Sequence, residues 1–154
     1  MPGVTSLPVQ YYPDDFQIIT FGPFYDIAVV DPTAVFYADR DMVVDTITVY
    51  TRTAHGSAAT GSFEVSTDPT STSGTAMAVA DLNLTAGTTL FLQTDGGSAP
   101  ATVTAAGAAG TSTNSTQLSA TANLIPRGSF LIIDLSAGGS WRGFIQIRVR
   151  SRVA

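Results

Sequence analysis

Trp141-Arg142-Gly143-Phe144-Ile145-Gln146-Ile147-Arg148-Val149-Arg150-Ser151-Arg152-Val153 decides the fold class. Ile145, Ile147 and Val149 recur at every second position, with Phe144, Gln146, Arg148, Arg150 and Arg152 on the alternate ones. A period of two is that of a strand with one face in a core and the other in solvent. Side chains two apart on a strand stand about 7 Å from one another, so the three arginines line up along roughly 14 Å of one face.

Working outward from this strand, the same period returns along the chain. Phe130-Leu131-Ile132-Ile133-Asp134-Leu135 reads as a core strand, preceded by Ile125-Pro126-Arg127-Gly128, where Pro and Gly suit a type II turn. Residues 42–52 carry Ile47 and Val49 on one face and Thr46, Thr48 and Tyr50 on the other. The adjacent Val43 and Val44 break that period, which predicts a bulge or burial on both faces. Gly61 to Thr67 places Phe63 and Val65 inward, Ala76 to Leu84 has Met77, Val79, Leu82 and Leu84 as its apolar members, and Thr88 to Gln93 is a compact strand. Residues 26–38 read as two short strands split by Asp31-Pro32. The Ala/Gly/Ser/Thr-rich stretch 97–122 predicts two weak strands near 101–104 and 115–121 joined by a surface tip. About eight strands with frequent turn signals and no helix predict an all-β antiparallel sandwich, jelly-roll-like rather than immunoglobulin-like.

Composition agrees. The 154 residues and 16.0 kDa suit one domain, and 22 Thr with no Lys and one Glu disfavour exposed helix faces. With no Cys and one His, disulfide scaffolds, thiol nucleophiles, zinc fingers and multi-histidine metal sites are excluded. No run of about 18 apolar residues predicts a membrane span. Met1-Pro2-Gly3-Val4 does not read as the start of a secretory signal, so assembly in the cytoplasm of the producing cell is expected. Residues 1–45 hold seven Asp against Arg40, whereas residues 127–154 hold five Arg against Asp134, within a net charge of −5. Nucleic acid is not the expected partner, because a basic excess is missing outside the last strand.

Residues 1–25 interleave Pro2, Pro8, Pro13 and Pro23 with Tyr11, Tyr12, Phe16, Phe21, Phe24 and Tyr25. Proline keeps such a segment extended and out of a sheet centre, and its aromatics need apolar cover. The division expected is therefore an extended arm over 1–25 and a single sandwich over 26–154. Two coverings stay open: the arm's own domain, or a neighbouring subunit that it latches.

Chemistry is not what these residues advertise. His55 lies in a turn with no Gly-x-Ser-x-Gly elbow to serve. Asp14-Asp15 and Asp39-Arg40-Asp41 lack calcium-loop spacing, the lone Glu64 offers no glycosidase pair, and the Gly-rich stretch lacks the Gly-Lys-Ser/Thr ending of a phosphate loop. The expectation is a protein with no catalytic residue, cofactor or metal. Trp141 reads as core packing, with sugar stacking as the other option. Arg148, Arg150 and Arg152 have two open readings: pairing with Asp39, Asp41 or Asp45 of the same domain, or gripping acidic groups of a partner.

Two stretches carry a resemblance: Phe36-Tyr37-Ala38-Asp39-Arg40-Asp41-Met42-Val43-Val44-Asp45-Thr46-Ile47-Thr48-Val49, and Thr121 through Leu135, which contains Ala-Asn-x-Ile-Pro-x-Gly-x-x-Leu-x-Ile-Asp. With the closing Ile/Arg strand they resemble small jelly-roll head decoration, or cement, proteins of phages, from about residue 26 onward. The resemblance implies a virion protein on the capsid surface, bound to the major capsid protein and to neighbouring copies of itself as a dimer or trimer, and it implies no activity. Similar modules occur in tails and fibres, where the alternative is a domain that binds host-surface glycan. The interface residues expected are Tyr11, Tyr12, Phe16, Phe21, Phe24, Arg148, Arg150 and Arg152.

Overall fold

A computed structural model describes residues 16–25, 34–54, 60–70, 74–82, 86–93, 103–104, 111–112, 118–135 and 141–152. The strands are β1 (Phe16–Tyr25), β2 (Ala34–Tyr37), β3 (Met42–Thr53), β4 (Thr60–Ser66), β5 (Thr75–Asp81), β6 (Thr88–Gln93), β7 (Val103–Thr104), β8 (Thr111–Ser112), β9 (Leu124–Ile125), β10 (Phe130–Leu135) and β11 (Arg142–Ser151). One sheet has the order β1-β11-β3-β6, with β9 beside one end of β3; the other has the order β2-β10-β4-β5, and β7 pairs with β8.

All of these pairings are antiparallel, and β4 pairs with β5, β3 with β6, β2 with β10 and β1 with β11. The chain thus forms one long hairpin, closed at β4-β5, whose ribbon of strand pairs rolls up so that successive pairs belong to alternate sheets. This connectivity is the jelly roll. Alternation supplies the core between the sheets: Ile145, Ile147 and Val149 of β11 face Leu131 and Ile133 of β10, with Ile47, Phe63, Leu90 and Leu92, all 1% exposed or less. Each such side chain contributes about 1.5–3 kcal/mol on leaving water, which is what holds two otherwise separate sheets together.

The irregular positions have local causes. In β3, Arg148 pairs with Thr46 but Val149 pairs with Val44, so Asp45 is an extra residue and the Val43-Val44 phase break is a bulge. The bulge lets Met42 and Val44 face the core ahead of it and Ile47 and Val49 behind it. A second bulge, at Met77 opposite Phe63 and Glu64, turns Ala78 and Ala80 inward and leaves Val79 half-buried. Residues 118–121 form no strand, contrary to expectation, because the hairpin partner of β7 comes earlier, at Thr111-Ser112; Leu118 is nonetheless buried. The second of the two short strands expected over 26–38 is β2; the first lies outside the described residues.

The boundary expected at residue 25 needs correction. Residues 16–25 are not outside the sandwich: they form β1, an edge strand paired with β11 from Phe16↔Arg150 to Tyr25↔Arg142. Pro23 is accommodated because β1 is an edge and bulges between Phe21 and Phe24, with Gly22 at φ 107°. Residues 1–15 lie outside the described residues.

The Ala-Asn-x-Ile-Pro-x-Gly phrase is the corner at which the ribbon passes from one sheet to the other. Asn123 exchanges two hydrogen bonds with Val44: the Val44 N–H donates to the Asn123 carbonyl at 2.9 Å, and the Asn123 Nδ2 donates to the Val44 carbonyl at 3.0 Å. Next, β9 pairs with Met42 and Val43, the Arg127 N–H donates to Asp41 Oδ1 at 2.8 Å, and Ala38 exchanges backbone bonds with Gly128 and Ser129. The turn closes from the Ser129 N–H to the Pro126 carbonyl at 3.0 Å, so Pro126 sits one position earlier than a first-central proline, and Gly128 supplies the positive φ of 82°. Asn123→Ala is expected to cost about 1 kcal/mol in urea unfolding, and Asn123→Asp more, because an acceptor then faces the Val44 carbonyl. Equal stabilities for wild type and both variants would show that the corner is not held by this amide.

Candidate partner-binding face

The outer surface of the β1-β11-β3-β6 sheet collects the exposed side chains that the alternation turns away from the core. The register sets them in rows across the strands. Ile18, Arg148, Thr46 and Gln93 form one row, Thr20, Gln146, Thr48 and Phe91 the next, and Phe144, Tyr50 and Thr89 a third. At strand spacings of about 4.8 Å the face is roughly 15 Å wide, and its backbone is fixed by the ladder bonds on both sides of β11 and β3.

Large apolar groups stand open on it: Phe16 is 41%, Ile18 53% and Phe91 46% exposed. Tyr50 and Phe144 stack at 5.0 Å with 26° between their planes. The Arg148 guanidinium lies 4.1 Å from the centroid of the Phe16 ring, a cation–π contact that holds the cation flat on the sheet. Arg150 Nε reaches both oxygens of Asp45, at 2.8 and 2.7 Å, and the bulge at Asp45 is what brings that carboxylate to it. An exposed pair of this kind contributes at most about 1 kcal/mol, so it orients Arg150 more than it stabilises the fold.

Among the expected intradomain acids only Asp45 takes a ladder arginine. Asp39 is held by its neighbour Arg40 at 2.9 Å, and that hydrogen bond keeps its carboxyl below the usual carboxylate range. Asp41 accepts from the Arg127 N–H through its carboxylate, and its carbonyl accepts from the Arg152 N–H at 2.9 Å. Among the described residues no carboxylate pairs with the Arg148 or Arg152 side chain.

The expected interface aromatics separate. Phe16 is on the open face, whereas Phe21 and Phe24 pack against the protein's own core, Phe24 at 5.8 Å from Trp141. Trp141 is 1% exposed and donates from Nε1 to Thr51 Oγ1 at 3.1 Å, so the packing reading holds and its ring is closed to a sugar. Tyr11, Tyr12, Asp14, Asp15 and His55 lie outside the described residues. Ile18 and Phe91 were not expected on this surface, whereas Tyr50 lies on the face that the alternation of β3 assigned to it. The signal for Phe91 is the flanking Leu90 and Leu92, whose inward turn obliges Phe91 to face out. Among the described residues no three His, Cys, Asp or Glu side chains come together as metal ligands, and no helix is long and apolar enough to cross a membrane. Comparison with protein-family models, curated proteins and solved structures finds no match to this chain.

Proposed function

We propose that this chain is a phage virion structural protein, a decoration subunit that binds the major capsid protein through the outer face of the β1-β11-β3-β6 sheet and stabilises the shell. The observation that carries this reading is the face itself, where Phe16, Ile18 and Phe91 stand exposed beside Arg148 and Arg150 on a rigid sheet. Aromatic and arginine side chains are the groups that dominate protein interfaces, and a sheet presents them without the entropic cost of ordering a loop. Jelly-roll connectivity supports it by analogy with virion proteins of the same architecture. Stabilisation of the shell follows by linkage, since a ligand that binds only the assembled lattice shifts the equilibrium toward it.

Co-sedimentation with capsids assembled without the protein tests the reading. The wild type is expected to pellet with capsids, and Phe91→Ser combined with Arg148→Glu to weaken binding by about 100-fold, the equivalent of roughly 2.7 kcal/mol. Absence of wild-type binding, or an unchanged affinity in the double variant, would overturn it. Binding to a glycan array without binding to capsids would favour the tail or fibre alternative.

A further inference from the structure

We infer that β1 is a self-pairing edge, on which a second copy of this chain adds its own β1 in antiparallel register and joins two sheets into one. The inference concerns the edge of the sheet rather than its outer face, and it stands whether or not the protein is a decoration subunit.

Phe16 to Phe21, Phe-Gln-Ile-Ile-Thr-Phe, is an uncharged run of strand-forming residues that contains neither Gly nor Pro. It pairs with β11 on one side only, and no described residue bonds to its other side. Edge strands of this kind are normally blunted by charge, proline, a bulge or a short length. Here the bulge and Pro23 blunt only the distal end, after Phe21. Of the other edges, β2 has 4 residues, β5 is bulged at Met77 and closes on Asp81, and β6, at the far side of the same sheet, is an unbulged run of 6 residues that serves as the comparison.

Three observations identify the occupant as a second copy. First, residues opposite each other in an antiparallel pair share a face, and in β1 the even positions Phe16, Ile18 and Thr20 face out while Ile19 and Phe21 pack on the core. A twofold axis through Ile18 sets Ile18 against Ile18, Phe16 against Thr20 and Gln17 against Ile19, so every outward group meets an outward group. Second, the alternative centred on Ile19 would set Phe16 against Gly22, inside the bulge and beside Pro23, which has no N–H to offer. Third, the run carries no charge with which to select a foreign strand. The arginines of the two β11 strands would stand three strand spacings apart, about 14 Å, beyond the screening length of about 8 Å. Two short edges bury less than the roughly 1,200 Å² of a stable interface, so pairing is weak in dilute solution and grows where copies are crowded.

The chain has no Cys, so a single introduced thiol reports proximity cleanly. Ile18→Cys is expected to form a disulfide-linked dimer about tenfold faster than Gln93→Cys, which lies on the opposite edge strand of the same sheet. The second measurement uses charge. At a concentration near 1 mM, where wild type sediments partly as a dimer, Ile18→Lys and Ile18→Glu are each expected to be monomeric, and an equimolar mixture to recover the dimer. Ile18 is 53% exposed, so these variants are expected to retain the wild-type Trp141 fluorescence and unfolding midpoint. Equal cross-linking rates at positions 18 and 93, or a mixture that stays monomeric, would overturn the inference. Capsid binding is read separately, so loss of one result leaves the other standing.

Discussion

Trp141→Ala is expected to lower the free energy of unfolding by about 4 kcal/mol, the middle of the range for removing a large buried aromatic. Trp141 is 1% exposed, packs on Phe24 with centroids 5.8 Å apart and donates to Thr51 Oγ1 at 3.1 Å. Truncation leaves a cavity at the start of β11, and it removes a partner from Thr51, a buried polar residue. For a chain of this length the thermal midpoint drops by roughly 8–16 °C. Trp141→Phe separates the two contributions, because it keeps most of the volume and loses only the N–H donor; about 1–2 kcal/mol is expected. Calorimetry, or circular dichroism during a urea titration, measures both. A loss below about 1.5 kcal/mol for Trp141→Ala would show that the indole is not holding the β1-β11-β3 junction.

Gly143→Val is expected to destabilise by about 3 kcal/mol or more, through overpacking instead of a cavity. A Cβ at position 143 would collide with the Tyr50 carbonyl oxygen and stand 2.6 Å from Cζ2 and 3.1 Å from Cη2 of Trp141. Gly143 is therefore required for space, since the indole folds back over its own strand two residues on. The opposing β3 carries an extra residue at this point, because Arg142 pairs with Thr53 and Gly143 with Thr51. Both substitutions act on one contact, so the Trp141→Ala/Gly143→Val pair should be less costly than the sum of the singles by at least about 1 kcal/mol. Strict additivity, read by the same unfolding titrations, would indicate that the clash with the Tyr50 backbone alone sets the cost.

The strands were legible where the alternation was strict. β11 and β10 could be placed from Ile145-x-Ile147-x-Val149 and Phe130 to Leu135, and the Val43-Val44 irregularity marked the bulge that Asp45 makes. Reading failed where side chains were too small to signal a face. In β5, Ala78 and Ala80 weigh little beside Val79, so the bulge at Met77 and the inward turn of these two alanines were not visible. The prolines of residues 1–25 suggested an arm that reached to Tyr25, because a single edge hydrogen-bond ladder accommodates Pro23 in a way that composition does not record.

By itself the sequence determined that the chain is all-β, which side chains of β3 and β11 face a core, and that Arg148 and Arg150 share one face. These follow from the period of two, a property of adjacent residues. Only the tertiary structure decided that Phe16 to Tyr25 belongs to the sandwich, that Asp45 takes Arg150 while Phe16 lies under Arg148, and that Phe21, Phe24 and Trp141 are spent on packing inside the subunit. Each of those depends on register between strands distant in the chain. Pairing such as Phe16 with Arg150 or Asn123 with Val44 is set by how the whole ribbon rolls, and no local pattern of residues encodes it.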